Sequence, residues 1–251
     1  MTTPALGSRR LWTAGCNELT EAGASASLAE EEVTFFEQIV RPRPGMAAID
    51  LACGTGQWTR RLAAWGLTVT GIDSCDKAIV QAQTAGAHPG LRYMRWNIVA
   101  DPIAAELAPG QFDIVTCRYG LAHLEPGRLL TDVGRWLKPD GIFYALVRVD
   151  PATSPGDRIG GAHPGEQLAK VSRFPDDVSD EYVRHLGAGW AYRAVHELRL
   201  HRRVIVLSEY GIEHPKSAEL VPGQSKSGLR LALPSSQVPA QDLPSTTGDH
   251  S

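Results

Sequence analysis

The segment Asp50-Leu51-Ala52-Cys53-Gly54-Thr55-Gly56 has the residue types and spacing to hold a small charged ligand. Glycine at 54 and 56 permits a tight turn and lets a ligand come close to the backbone. A helical pattern begins directly afterwards, and a helix N-terminus offers free N–H groups and a positive dipole end to an anionic group. Nineteen residues after Gly54, Asp73 closes a second apolar run, where its carboxylate can accept hydrogen bonds from both hydroxyls of a ribose. The spacing therefore implies a ribose-containing cofactor. The rival reading is a dinucleotide fold, but G-x-G-x-x-G needs glycine at position 59, and this chain has Thr59. A lone Gly-x-Gly is usually only a turn; the reading rests on its combination with Asp50, Asp73 and the helix that follows.

Other side chains with chemical capacity are less tightly specified. His123 lies just beyond a fourth apolar run, and imidazole has a suitable intrinsic pKa for taking a proton, although a helix-cap or packing role competes with that reading. Asp113 opens the same run and is read as structural, bonding neighbouring backbone groups. His196 and His201 are five apart and face differently in a strand or a helix, so no metal site is expected from them. Arg193, Arg199, Arg202 and Arg203 outnumber the nearby acids, which fits either a charged surface strand or an acidic acceptor. Cys16, Cys53, Cys75 and Cys117 lack CxxC spacing and are read as reduced thiols.

Alternating strand and helix patterns must position these groups. Strand-like runs cover Ala47 to Ala52, Leu67 to Ile72, Leu91 to Trp96, Phe112 to Cys117 and Ile142 to Val149. Before them, Ser27 and Glu30 form a capping-box pattern for a helix carrying Val33, Phe36 and Val40, stopped by Pro42, Pro44 and Gly45. Trp58, Leu62 and Trp65 share a helix face, with Gly66 as the stop. Asp101-Pro102 reads as a cap with proline at the first helical position, and Leu130, Val133 and Leu137 form a stripe closed by the turn Lys138-Pro139-Asp140-Gly141. A helix around Asp180 to Leu186 and an antiparallel pair, Ala191 to Leu200 with Arg203 to Glu209, complete the pattern. The Pro/Gly-rich stretch from Pro151 to Pro175 is read as a functional cover. Of the aromatics near the N-terminus, Phe35 and Phe36 are assigned to the core and Trp12 to a lid.

This series of motifs resembles the class I S-adenosylmethionine-dependent methyltransferases over roughly residues 45 to 150. Asp50 to Gly56 looks like that family's first motif and Gly71-Ile72-Asp73-Ser74 like its acidic second-strand end. Phe112-Asp113-Ile114-Val115-Thr116-Cys117-Arg118 is similar to its fourth strand, followed by Leu121-Ala122-His123-Leu124 and Trp136-Leu137-Lys138-Pro139-Asp140-Gly141. The resemblance implies a Rossmann-like α/β fold: a doubly wound, mostly parallel sheet with helices on both faces and a C-terminal antiparallel hairpin. It also implies S-adenosyl-L-methionine as cofactor, with Asp50 and Ala52 among the residues that bind it, Gly54, Thr55 and Gly56 along its methionyl part, Asp73 at the ribose and Ser74 beside the adenine. Many relatives have aspartate followed by a small residue after the third strand; here Asn97 and Ile98 stand there, and Asn97 retains a carbonyl that could accept from the adenine amino group. The backbone of Cys117 and the side chain of Arg118 should approach the methionine group.

Bulk properties bound the remaining alternatives. At 251 residues, 43% hydrophobic and with a net charge of −3, the chain can bury one core and shows no clustered basic face, so a small-molecule methyl acceptor is expected and nucleic acid is not. No apolar segment follows Arg9 and Arg10 and no run reaches about 18 apolar residues, which predicts a cytoplasmic chain without membrane association. Twenty arginines against five lysines fit a GC-rich bacterial genome. The expected organisation is an N-terminal helical lid over 1–45, a methyltransferase domain over 46–221 (cofactor half 46–150, acceptor side 151–221) and a disordered tail over 222–251. Two other functions remain open: a cyclase- or decarboxylase-like user of the same cofactor, and a binding module without turnover.

Overall fold

The computed structural model describes residues 29–149, 177–187, 189–199 and 201–211. Helix α1 spans Glu30–Val40 and buries Val33, Phe36, Ile39 and Val40 along one stripe. Its N-cap is Ala29, which makes no side-chain cap, so the expected capping box from Ser27 does not form the helix start; Ser27 itself lies outside the described residues. Three glutamates in the first turn, Glu30, Glu31 and Glu32, complement the dipole there. The helix stops where Arg41 turns left-handed (φ 52°), just before Pro42.

Strands and helices then alternate: β1 (Ala47–Leu51), α2 (Gln57–Ala64), β2 (Thr68–Asp73), α3 (Asp76–Thr84), β3 (Leu91–Arg95), β4 (Phe112–Arg118), α4 (Pro126–Trp136) and β5 (Leu137–Val149). After them come the short β6 (Asp177–Val178), α5 (Asp180–His185), β7 (Trp190–Arg199) and β8 (Arg202–Tyr210). The sheet order is β3-β2-β1-β4-β5-β8-β7, with β6 on β5. Neighbours from β3 through β5 run parallel, whereas β8 is antiparallel to both β5 and β7. The chain winds outward from β1 to β2 and β3, then returns to lay β4 on β1's other side. That reversal opens a crevice at the carboxyl ends of β1 and β4, where ligands settle in open α/β sheets.

Alternation along β5 divides the core between two faces. Phe143, Ala145, Val147 and Val149 join Leu129, Val133 and Trp136 of α4 and Val183 of α5. On the opposite face Tyr144 meets Phe36 of α1 and Trp58 of α2, with ring centroids 4.9 and 6.4 Å away. Each such side chain contributes roughly 1.5–3 kcal/mol by leaving water, and together they hold α1 as part of the packed core.

Two local expectations give way to other solutions. No helix begins at Asp101-Pro102; the Asp101 carboxylate accepts from the Asn97 backbone N–H (2.9 Å) and from Arg95 (3.2 Å), closing a turn in place of capping a helix. Lys138 to Gly141 is not a separate turn ahead of the fifth strand, because β5 already pairs at Leu137. Between the pairs Phe112–Leu137 and Ile114–Ile142 the register shifts, so the extra residues are absorbed as a bulge within the strand. Helix α4 is capped by Glu125, whose carboxylate accepts from Gly127 (3.0 Å) and Arg128 (2.7 Å), ahead of Pro126 in its first turn. Cys53 and Cys117 are free thiols, whereas Cys75 is disulfide-bonded, against the expectation that it is reduced. Among the described residues no helix is long and apolar enough to cross a membrane. Pro151 to Pro175, Trp12 and the 222–251 tail lie outside the described residues.

Gly134 lets α4 rest on the ring of Tyr210 at the end of β8, since a Cβ there would drive into that ring. Alanine is favoured over glycine by about 1 kcal/mol inside a helix, but overpacking costs about 1–3 kcal/mol. We expect Gly134→Ala to lower the urea midpoint despite its better helix propensity. A higher midpoint would mean that α4 does not bear on Tyr210.

Candidate functional site

Three strand ends, β1, β2 and β4, build the crevice. Leaving β1, the chain turns left-handed at Ala52 (φ 54°), Gly54 (φ 52°) and Gly56 (φ 75°) before α2 begins. Ala52 is the costly member, because its Cβ disfavours that conformation, and such strain gathers where a loop serves a ligand. Among the described residues nothing lies within 4 Å of where a Cβ on Gly54 would stand, so the space above it is open. Beneath the loop the reverse holds: a Cβ on Gly56 would strike the ring of Tyr93, whose hydroxyl donates to the Gly56 carbonyl (3.3 Å). The loop is thus pinned from below and free above.

Asp73, at the end of β2, completes this cradle. One carboxylate oxygen accepts from the Gly54 N–H and the other from the Cys75 N–H, each at 2.9 Å. The residue is 7% exposed, and burial raises its pKa against the lowering effect of these amides. The Ser74 backbone N–H also acts on this carboxylate and lowers its pKa.

Asp50 is more deeply buried than Asp73. It is 1% exposed and lies under the loop, accepting from the Thr59 hydroxyl of α2 (2.7 Å) and the Thr116 hydroxyl of β4 (2.8 Å). Desolvation pushes it up to about 6, opposed by those hydroxyls and by Arg118. Thr59, which argued against a dinucleotide fold by not being glycine, is therefore one of the groups that hold Asp50.

Around the rim, Asn97 and Ile98 follow β3. The Asn97 side-chain oxygen accepts from the Val99 N–H (3.0 Å) and the Ala100 N–H (3.2 Å). With that carbonyl already engaged, the group left to meet a ligand is the amide NH2, a donor, where the sequence suggested an acceptor. Ile98 also lines a cleft of about 180 Å³ against Leu124 and Leu129. Cys117 pairs in register with Leu51, and its thiol is pushed up to about 12 by burial. Cys53, also raised by burial, is likewise no thiolate at neutral pH.

Arg118, the last residue of β4, donates through Nε and Nη2 to Glu32 of α1 at 2.6 and 2.8 Å, with Glu32 1% exposed. Its guanidinium also faces the rings of Trp58 (5.1 Å) and Tyr119 (5.5 Å). Tyr119 is left-handed (φ 58°) and leads to Gly120, whose Cβ would come within 2.6 Å of Ala52. The loop after β4 therefore touches the loop after β1. His123 closes a short 3₁₀ turn, Leu121–His123, three residues beyond that contact.

The structure thus gathers Ala52, Gly54, Thr55, Gly56, Asp73 and Ser74 at the ends of β1 and β2, with Cys117 and Arg118 beside them on β4. Asp50 braces the group from beneath. Glu32, Tyr93, Thr116 and Gly120 were missed by sequence reasoning. Only Gly120 carried a local signal, a glycine directly after a strand; the others act through contacts between distant segments.

Residues 49–145 match the family model for a methyltransferase domain. Over 109 residues the chain is 33% identical to a ubiquinone biosynthesis O-methyltransferase of Pseudomonas putida, covering 43% of this chain and 47% of that one. The chain spans about half the length of the curated relatives it matches. A SAM-dependent methyltransferase from Aquifex aeolicus superposes with a TM-score of 0.55 at 15% identity, over 76% of this chain and 97% of that chain. Haemonchus contortus phosphoethanolamine N-methyltransferase 1 gives 0.56 at 15% identity, over 86% and 52%. At such identities the likeness to the solved structures is one of fold.

The buried Asp50 carboxyl makes stability depend on pH with a defined sign. It would ionise near 3.8 in the unfolded chain but near 6 in the folded one. The folded state therefore keeps a proton that the unfolded state has lost, and stability falls as pH rises through that window, by about 3 kcal/mol if Asp50 acts alone. Urea melts of the wild type and Asp50→Asn between pH 4 and 7 should show the difference between the two changing by that amount in favour of the variant. A constant difference would show that Asp50 does not titrate there.

Proposed function

We propose, from the match of residues 49–145 to a methyltransferase domain, that the chain is a class I S-adenosylmethionine-dependent methyltransferase that transfers the sulfonium methyl group to a nucleophilic atom of a small-molecule acceptor. The observation that carries this reading is the Asp73 carboxylate, held by the Gly54 and Cys75 amides at the mouth of a glycine loop that is open above Gly54. A carboxylate fixed by backbone amides at a strand end suits the hydroxyls of a ribose, and the open loop suits a chain laid along the backbone. The residues therefore fit the cofactor.

In this reading Gly54, Thr55 and Gly56 lie along the methionyl part, with the Cys117 backbone beside it. Asp73 takes the ribose, and Ser74, Asn97 and Ile98 border the adenine. Arg118 stays paired with Glu32 while its Nη1 hydrogens remain able to donate to the methionyl carboxylate. Residues 46–150 form the cofactor half and 151–221 the acceptor side, with the segment before 46 as its cover.

The bound cofactor supplies an electrophilic methyl group, so the protein's task is alignment and exclusion of water. For a hydroxyl acceptor a proton must also leave, and His123, in the loop that follows the Gly120–Ala52 contact, is the candidate base. The relatives named for O-methylation make a hydroxyl the first acceptor atom to test.

Calorimetry with S-adenosylmethionine, with NAD as competitor, tests the cofactor before any acceptor is chosen. Charge-assisted hydrogen bonds are worth about 1.5–3 kcal/mol, so Asp73→Ala should weaken binding by roughly 10- to 100-fold. NAD should not compete. An Asp73→Ala variant that binds as tightly as the wild type, or displacement by NAD, overturns the reading. Release of S-adenosylhomocysteine in an acceptor screen then separates methyl transfer from other uses of the cofactor.

A further inference from the structure

The four arginines of the C-terminal hairpin divide sharply in their use. Arg193 donates to the carbonyls of Leu186 (2.7 Å) and Val183 (2.5 Å). Arg199 pairs with Glu31 of α1, and Arg203 with Glu197 across the hairpin (3.1 Å). Arg202 differs: among the described residues it enters no ion pair, and it stands in register directly opposite Arg148 of β5. Like charges facing each other across a ladder are destabilising unless an anion lies nearby. On its other side Arg148 is in register with Asp177 of β6.

These residues sit beside the crevice. The hairpin turns at His201, whose carbonyl accepts from the Val149 N–H (2.8 Å), so its tip is held at the carboxyl end of β5. Tyr119, at the end of β4, has the Arg118 and Arg148 guanidiniums 5.5 and 5.6 Å from its ring centroid, and Arg202 is near enough to act on its phenol through charge. The Tyr119 side chain is partly buried and its hydroxyl makes no hydrogen bond among the described residues. One residue later Gly120 packs on Ala52, which opens the glycine loop. Arg118 is already neutralised by Glu32, and Arg202 faces this corner with no such partner.

We propose that Arg202, with Arg148 and Tyr119, forms an anion-binding corner of the acceptor site, and that the methyl acceptor carries a carboxylate which this corner holds while the nucleophilic atom faces the methyl group. This rests on the methyltransferase reading above. The planar guanidinium matches a carboxylate through two parallel N–H donors, and the Tyr119 hydroxyl supplies a further donor. The corner thereby selects acceptors by charge and fixes their orientation.

The test is a titration of benzoate, with benzamide as its uncharged counterpart, into full-length protein saturated with S-adenosylhomocysteine. Benzoate should bind roughly tenfold more tightly than benzamide or better, as charge-assisted hydrogen bonds require. Arg202→Gln should bring the two ligands to within about twofold, while Arg202→Lys, which keeps the charge without the planar fork, retains part of the preference. Equal binding of the two, binding of neither, or a preference unchanged in Arg202→Gln overturns the proposal. If S-adenosylhomocysteine fails to bind, the methyltransferase reading falls, and the same benzoate titration into the free protein still decides the anion corner.

Discussion

One buried carboxylate holds the rest of the site in place. Asp50 lies in β1 beneath the glycine loop and accepts from hydroxyls on α2 and β4, so a single group ties together the strand before the loop, the helix after it and the strand across the crevice. An ionised carboxylate in such a place is costly unless it is hydrogen-bonded, and burial accordingly lifts its pKa to about 6. That cost secures geometry: with Asp50 fixed, the left-handed turns at Ala52, Gly54 and Gly56 have a floor, and Tyr93 closes it from the side of β3. The loop then presents its open surface, with Asp73 at one end, to whatever lies in the crevice.

A second charged pair fixes the wall. Glu32 and Arg118 meet bidentately, both largely shielded from water, and breaking a buried pair of this kind by removing one partner is strongly destabilising. Together with the packing of Phe36 against Trp58 and Tyr144, the pair makes α1 a fixed side of the crevice. The same helix neutralises Arg199 through Glu31. Arg118 and Arg199 are thus compensated by the acids of α1, whereas Arg202 enters no ion pair among the described residues.

The sequence by itself determined the local grammar. Apolar runs at regular spacing announced the strands β1 to β4 and the final hairpin, because β1 and β4, buried inside the parallel sheet, are largely apolar and a hairpin needs only local pairing. Gly54, Gly56 and the distance to Asp73 announced the cradle, because backbone freedom and strand length are properties of adjacent residues. Where local rules had several outlets, tertiary structure chose among them: Asp101 closed a turn rather than capping a helix, and Lys138 to Gly141 became a bulge once β5 paired from Leu137. The side-chain partnerships were decided only by the fold. Thr116 reaches Asp50 across 66 residues and Arg118 reaches Glu32 across 86, because sheet order and register, not sequence distance, bring them together. Arg202 looked like any other charge on a surface strand until that register set it opposite Arg148 and beside Tyr119. Spacing along a chain reports what one segment can do alone, and a site assembled from the ends of several strands depends on how those segments are laid side by side.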